Sequence, residues 1–100
     1  MNVHSRGTPL GYAQITSLGT KKAMADSGLN PPIPLGALGA LLQAEAQNIR
    51  WRDDTTDPAA GVGMILVAGD APFFYDGDLS KIEFIEAVAG AKLNISFYGK

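Results

Sequence analysis

The segment Lys92-Leu93-Asn94-Ile95-Ser96-Phe97-Tyr98 alternates apolar and polar residues without a break. Side chains along a strand point to opposite faces in turn, so Leu93, Ile95 and Phe97 share one side while Lys92, Asn94, Ser96 and Tyr98 share the other. Such a segment is a half-buried strand, and its apolar face needs a second layer to cover it. The same period recurs in Asn48-Ile49-Arg50-Trp51-Arg52-Asp53, which sets Ile49 and Trp51 against Arg50 and Arg52, and in Lys81-Ile82-Glu83-Phe84-Ile85-Glu86. Met64-Ile65-Leu66-Val67 is a short continuous apolar run between Gly63 and Gly69, the pattern of a strand covered on both faces. Tyr12 to Leu18 and Phe73-Phe74-Tyr75 add β-branched and aromatic residues, and Asp-, Gly- and Pro-rich turns separate these runs. Six or seven strands at this spacing predict an all-β fold, a small antiparallel β-sandwich or jelly-roll-like barrel.

Residues 37–47 pull both ways. Propensity favours a helix for this Ala- and Leu-rich stretch, whereas alternation places Leu42, Ala44 and Ala46 on one face and Gln43, Glu45 and Gln47 on the other. The strand is preferred because it leads directly into the Ile49–Trp51 alternation, with a bend at Gln47-Asn48. Residues 19–36, with Pro31, Pro32 and Pro34, are a long connection or an edge, because proline neither donates to a ladder nor continues a helix. Val88-Ala89-Gly90-Ala91 has the length of a hairpin loop. The predicted core is Leu42, Ile49, Trp51, Ile65, Val67, Phe84, Leu93, Ile95 and Phe97. The first eleven residues are polar and punctuated by Gly7, Pro9 and Gly11, and are expected to form an N-terminal arm on a single β domain spanning residues 12–100.

Composition narrows the chemistry. The chain of 100 residues has no cysteine, which removes disulfides, thiolate metal sites and cysteine nucleophiles together. Its one histidine, His4, lies in the polar arm, so a zinc site or a serine-histidine catalytic pair lacks its parts. The acidic turns at residues 53–57 and 76–78 lack the central glycine and closing glutamate of an EF-hand loop. Glu83 and Glu86, three apart on a strand, face opposite sides and cannot work as a carboxylate pair. No catalytic residue, cofactor or metal ligand is therefore expected. With a net charge of −2, neither a nucleic acid backbone nor an anionic membrane is an expected partner, and the N-terminus lacks the apolar middle of a signal peptide. Alanine and glycine thin the large-residue core, so burial between subunits is expected to help, as in a homo-oligomer such as a trimer.

Trp51 between Arg50 and Arg52 is the most distinctive local feature. On a strand the indole faces the core and both guanidinium groups face out, where Asp53, Asp54 or Asp57 of the next turn come within reach. The strings Gln43-Ala44-Glu45-Ala46-Gln47-Asn48-Ile49-Arg50-Trp51-Arg52-Asp53-Asp54, Tyr75-Asp76-Gly77-Asp78-Leu79-Ser80, Phe84-Ile85-Glu86 and Ala89-Gly90-Ala91-Lys92-Leu93-Asn94-Ile95-Ser96-Phe97-Tyr98 carry a resemblance. Together with Pro58, Val62-Gly63-Met64 and Gly69-Asp70, they are similar to a group of small minor structural proteins of tailed bacteriophages. The resemblance implies a strand before Gln43 and a non-enzymatic role in the virion of a phage made in the bacterial cytoplasm. A capsid decoration or cement protein, or a small neck or tail accessory, fits that setting, with the major capsid protein and further copies of this chain as partners. Arg6, Arg50, Arg52, Asp53, Asp54, Tyr75 and Tyr98 are the interface candidates. The competing expectation is a carbohydrate- or receptor-binding sandwich, in which Trp51, Tyr75 or Tyr98 stacks on a sugar ring.

Overall fold

The computed structural model describes residues 7–100. Their strands are β1 (Thr8–Ile15), β2 (Lys22–Ala23), β3 (Gly39–Glu45), β4 (Ile49–Arg52), β5 (Met64–Leu66), β6 (Phe73–Tyr75), β7 (Glu83–Glu86) and β8 (Lys92–Gly99). The pairing is nested, antiparallel throughout. β1 pairs with β8, β2 with β7, β3 with β6 and β4 with β5. This is one long ladder folded back on itself, and rolling it sets β3 beside β8 and β4 beside β7. Two four-stranded sheets result, β1-β8-β3-β6 facing β2-β7-β4-β5. That is the order of an eight-stranded jelly roll, in which two Greek keys share one core.

The strand choice for residues 37–47 is explained by what lies opposite. β3 runs alongside β8 over seven register pairs, with Ala40 opposite Phe97, Leu42 opposite Ile95 and Ala44 opposite Leu93. All six are buried. Small residues facing large ones let the layer fill without overlap, so alanines that favour a helix in isolation serve here as spacers for β8. Ala46, in the left-handed region at φ 74, ends the strand and turns the chain toward β4.

On the second sheet, Trp51 lies opposite both Phe84 and Met64, and Ile49 opposite Leu66. Ile49 and Phe84 are fully buried, as alternation predicts. Ile82, on the same face of that alternation as Phe84, is also fully buried, as are Leu18 and Met24, which no alternation marked. They close one side of the sandwich from connecting segments. A 3-10 turn, Met24–Asp26, tips Met24 inward, and the Asp26 carboxylate accepts a hydrogen bond from Ala23 N at 2.8 Å.

Four expectations need correction. The first strand begins at Thr8, not after Gly11, because residues 8–11 find partners along β8 from Gly99 to Phe97, with a bulge between Pro9 and Gly11. The rest of the expected arm, including Arg6, lies outside the described residues. Ile65 and Val67 are 44% and 41% exposed, because β5 is an edge strand that no other described residues cover. Residues 88–91 do not make a hairpin; they carry the chain from β7 in one sheet to β8 in the other. Tyr75 is not at the surface but 4% exposed, on the inner face of β6.

Phe97 is fully buried opposite Ala40, a residue too small to fill the space it would leave. Phe97→Ala should therefore lower the unfolding free energy by about 3–5 kcal/mol, a large share of what a domain of this size has. Urea denaturation followed by far-UV circular dichroism measures that loss.

Candidate functional site

The two long sides of the sandwich differ. One is closed by residues 16–38, from which Leu29, Ile33 and Ala37 pack against the core. The other lies between β5 and β6, edge strands of three residues each. In the register Met64 is opposite Trp51 and Phe73 opposite Leu42, so both belong to the inner faces of their sheets. Both are nevertheless open to solvent, Met64 at 60% and Phe73 at 45% exposure. A cleft of about 240 Å³ lies between them, with Leu42, Ala44, Trp51 and Leu66 in its walls. Exposed Ile65, Val67 and Val62 extend the apolar surface along the same edge.

Aromatic contacts fix the floor of this cleft. The Trp51 and Phe73 rings stack with centroids 6.0 Å apart and planes 24° apart, and Tyr75 meets the indole edge-on at 5.5 Å and 72°. The Tyr75 hydroxyl donates to Asp53 Oδ2 at 2.7 Å, linking β6 of one sheet to the end of β4 in the other. Burial, and then the Asp53 carboxylate, push the Tyr75 phenol well above its ordinary range. The tyrosine lies against the turn that follows it, where a Cβ on Gly77 would fall 2.6 Å from Tyr75 Cζ.

The outer side of this corner is polar. Arg52 Nε and Nη2 hold the Asp54 carboxylate at 3.0 and 2.6 Å, a fork that raises the Arg52 pKa and lowers that of Asp54. Arg50 donates from Nη1 to the carbonyl of Gly63 at 3.1 Å and so braces the start of β5. Gly63 has φ 138, and a Cβ there would lie 2.9 Å from Trp51 O, so glycine is required where β5 joins β4. Asp57 pairs not with an arginine but with Lys21 Nζ at 3.1 Å, which also meets Glu83 at 2.8 Å.

Arg50, Arg52, Asp53 and Asp54 thus gather at one corner, with Tyr75 beneath them as an internal member. Tyr98 is elsewhere, on the outer face of the β1-β8-β3-β6 sheet, where its ring meets Phe74 edge-on at 6.4 Å. Trp51 and Tyr75, buried in the sandwich, offer no face to a sugar ring. Met64, Val67 and Phe73 escaped the sequence reading as surface residues. An unbroken apolar run signals cover on both faces but not whether the cover comes from the same chain. The cleft carries few polar groups, and what it offers a ligand is burial.

Trp51 is the only tryptophan, so its fluorescence reports on this cleft. Phe73→Ala should strip the stacked ring from the indole, shift its emission to the red and cost about 1–2 kcal/mol, less than a fully buried phenylalanine. An unchanged emission spectrum would rule out the stacked arrangement. Comparisons with family models, curated proteins and solved structures find no match to this chain.

Proposed function

We propose that this chain is a non-enzymatic structural protein of a tailed-phage particle, a jelly-roll subunit that decorates or cements the capsid and is seated on the shell by its β5/β6 edge. One observation carries the docking surface: Met64 and Phe73 face the core by register and remain 60% and 45% exposed. Inner-face residues left open mark a layer that the described residues do not supply. Fully covering a large apolar side chain is worth about 1.5–3 kcal/mol. Four half-covered ones, Met64, Ile65, Val67 and Phe73, give roughly 3–6 kcal/mol before the entropy of association is charged. That is modest for one contact and sufficient for a subunit held at many places around a shell.

The setting rests on the resemblance of the quoted strings to minor structural proteins of tailed phages. The jelly roll agrees with it only as analogy, since this architecture serves capsids, lectins and cupins alike. The occupant assigned to the edge is a capsid subunit presenting an apolar ridge to the cleft.

Val67→Asp tests the assignment without touching the core, because Val67 is 41% exposed. The variant should melt like the parent and sediment away from purified capsids, its attachment weakened at least tenfold by a charge placed in an apolar contact. Val88→Asp, at a residue more exposed still but in the loop between β7 and β8, should attach normally. Undiminished attachment of Val67→Asp overturns the docking surface. A particle-free oligomer that Val67→Asp dissociates reassigns the edge to a second copy of this chain.

A further inference from the structure

The outer face of the β1-β8-β3-β6 sheet is unlike an ordinary solvated sheet surface. Two neighbouring rows cross its three adjoining strands β1, β8 and β3: Tyr12, Ser96 and Leu41 in one, Gln14, Asn94 and Gln43 in the next. None of the six is charged. The nearest charged pair, Glu45 opposite Lys92, comes one row further on. The rows are about 7 Å apart and the strands about 4.8 Å, which makes a platform the breadth of a sugar ring or two.

Asn94 organises this platform. Its Nδ2 donates to Gln43 Oε1 at 3.2 Å and to Glu45 Oε1 at 3.1 Å, while its Oδ1 accepts from Tyr12 OH at 2.8 Å and from Gln14 Nε2 at 2.9 Å. An ionised carboxylate only accepts, so Glu45 fixes which end of the Asn94 amide faces it, and the other bonds follow. Both donors and both lone pairs of Asn94 are thereby used. Among the described residues, the unused capacity lies around the rim: the Gln43 Nε2 donors, the Gln14 Oε1 acceptor, the Ser96 hydroxyl and the second Glu45 oxygen. A shallow, mostly apolar pocket of about 150 Å³ opens beside the Gln43 and Ser96 groups, lined by Tyr12, Leu41, Gln43, Pro72, Asn94 and Ser96, with Gln14 and Glu45 outside it. Tyr12 is 58% exposed and held by its hydroxyl, so its ring is available to a flat apolar surface.

We propose that this face binds neutral saccharide, one ring of a glycan chain seated in the Tyr12–Leu41–Gln43–Ser96 pocket. A pyranose presents an apolar C–H face and a rim of hydroxyls that both donate and accept. The platform presents the complement: an aromatic ring with Leu41 and Pro72 for the face, and a mixed set of oriented donors and acceptors for the rim. Orientation is settled before binding, because one central amide holds its neighbours in place and little side-chain entropy is left to lose. The two rows hold no cation to pair with an anionic ligand, and the Glu45 carboxylate beside them repels one, so neutral sugars are favoured. The pocket is smaller than the roughly 300–1,000 Å³ of enclosed ligand sites, so binding is weak and dissociation constants lie in the millimolar range.

The test is a titration of the isotope-labelled full chain with methyl glucoside, methyl galactoside, methyl mannoside, N-acetylglucosamine and short oligomers of each, followed by NMR. Saturable shifts of the Gln43 side-chain amide and the Ser96 backbone amide with at least one of these probes are expected. They should disappear in Gln43→Ala and in Tyr12→Ala, and persist in Val67→Asp, because Val67 does not line this pocket. Two results overturn the proposal: no saturable shift at these positions with any probe, or shifts that both pocket variants retain. If Gln43→Ala instead weakens attachment to capsids while no sugar shifts the spectrum, the face is a protein contact and the saccharide assignment falls.

Discussion

The link on which the open side of this sandwich depends is the bond from the Tyr75 hydroxyl to the Asp53 carboxylate, made under the Trp51 and Phe73 rings. β6 is the edge strand of its sheet and is held to β3 by only three register pairs. Without a tie to the opposite sheet it would fray first, since edge elements with few buried contacts open most readily. Tyr75 supplies the tie by reaching from β6 across the core to the end of β4. Its phenol stays protonated because ionisation would place a second negative charge beside Asp53 in a buried place. Removing the hydroxyl in Tyr75→Phe should cost about 1–2 kcal/mol at neutral pH, the usual worth of a bond to a charged acceptor less what water restores to exposed Asp53. The folded chain holds this phenol above its ordinary pKa of about 10. The stability it lends is thus whole below about pH 10 and falls as the pH rises beyond, where the unfolded chain ionises and the folded one resists. Tyr75→Phe should lose this part of the alkaline sensitivity, and thermal melts of the two proteins at rising pH measure the difference.

Much of this architecture is legible in the residue order, for a definable reason. Strands with one wet face announce themselves by period, and β4, β7 and β8 are of that kind. β3 is legible only in part, because its alanines satisfy both periods and the decision rests with Phe97 and Leu93 on a distant strand. Pairing order carries no local signature at all. Residues 88–91 have hairpin length and connect different sheets, because nested pairing sends β8 back to β1 and β3. Leu18 and Met24 are buried by segments without a repeat, where burial depends on the path of the chain over the core.

The candidate edge shows a different limit. Met64-Ile65-Leu66-Val67 announces that apolar residues need cover, and the chain itself covers only Leu66. Composition reports a need for burial and says nothing of who supplies it. The same ambiguity applies to Tyr75 and Tyr98, two aromatics near turns: one faces inward because β6 pairs through it with Ala40, the other outward because it continues the polar row of β8.

An exposed apolar edge invites uncontrolled strand pairing, yet β5 and β6 are poor templates for it. Each offers only three residues of ladder, and just before β5 stands Gly63, whose φ of 138 breaks the extended run. Arg50 reaches round the back of β5 to the Gly63 carbonyl and occupies a main-chain acceptor at that point. A partner strand would therefore gain few main-chain hydrogen bonds, whereas the side chains of Met64, Val67 and Phe73 remain fully on offer. The edge is thus built to be read by shape and apolar fit rather than by ladder extension. That distinction is what the proposed docking on a shell requires, because an apolar fit defines one seat where ladder extension would accept any strand.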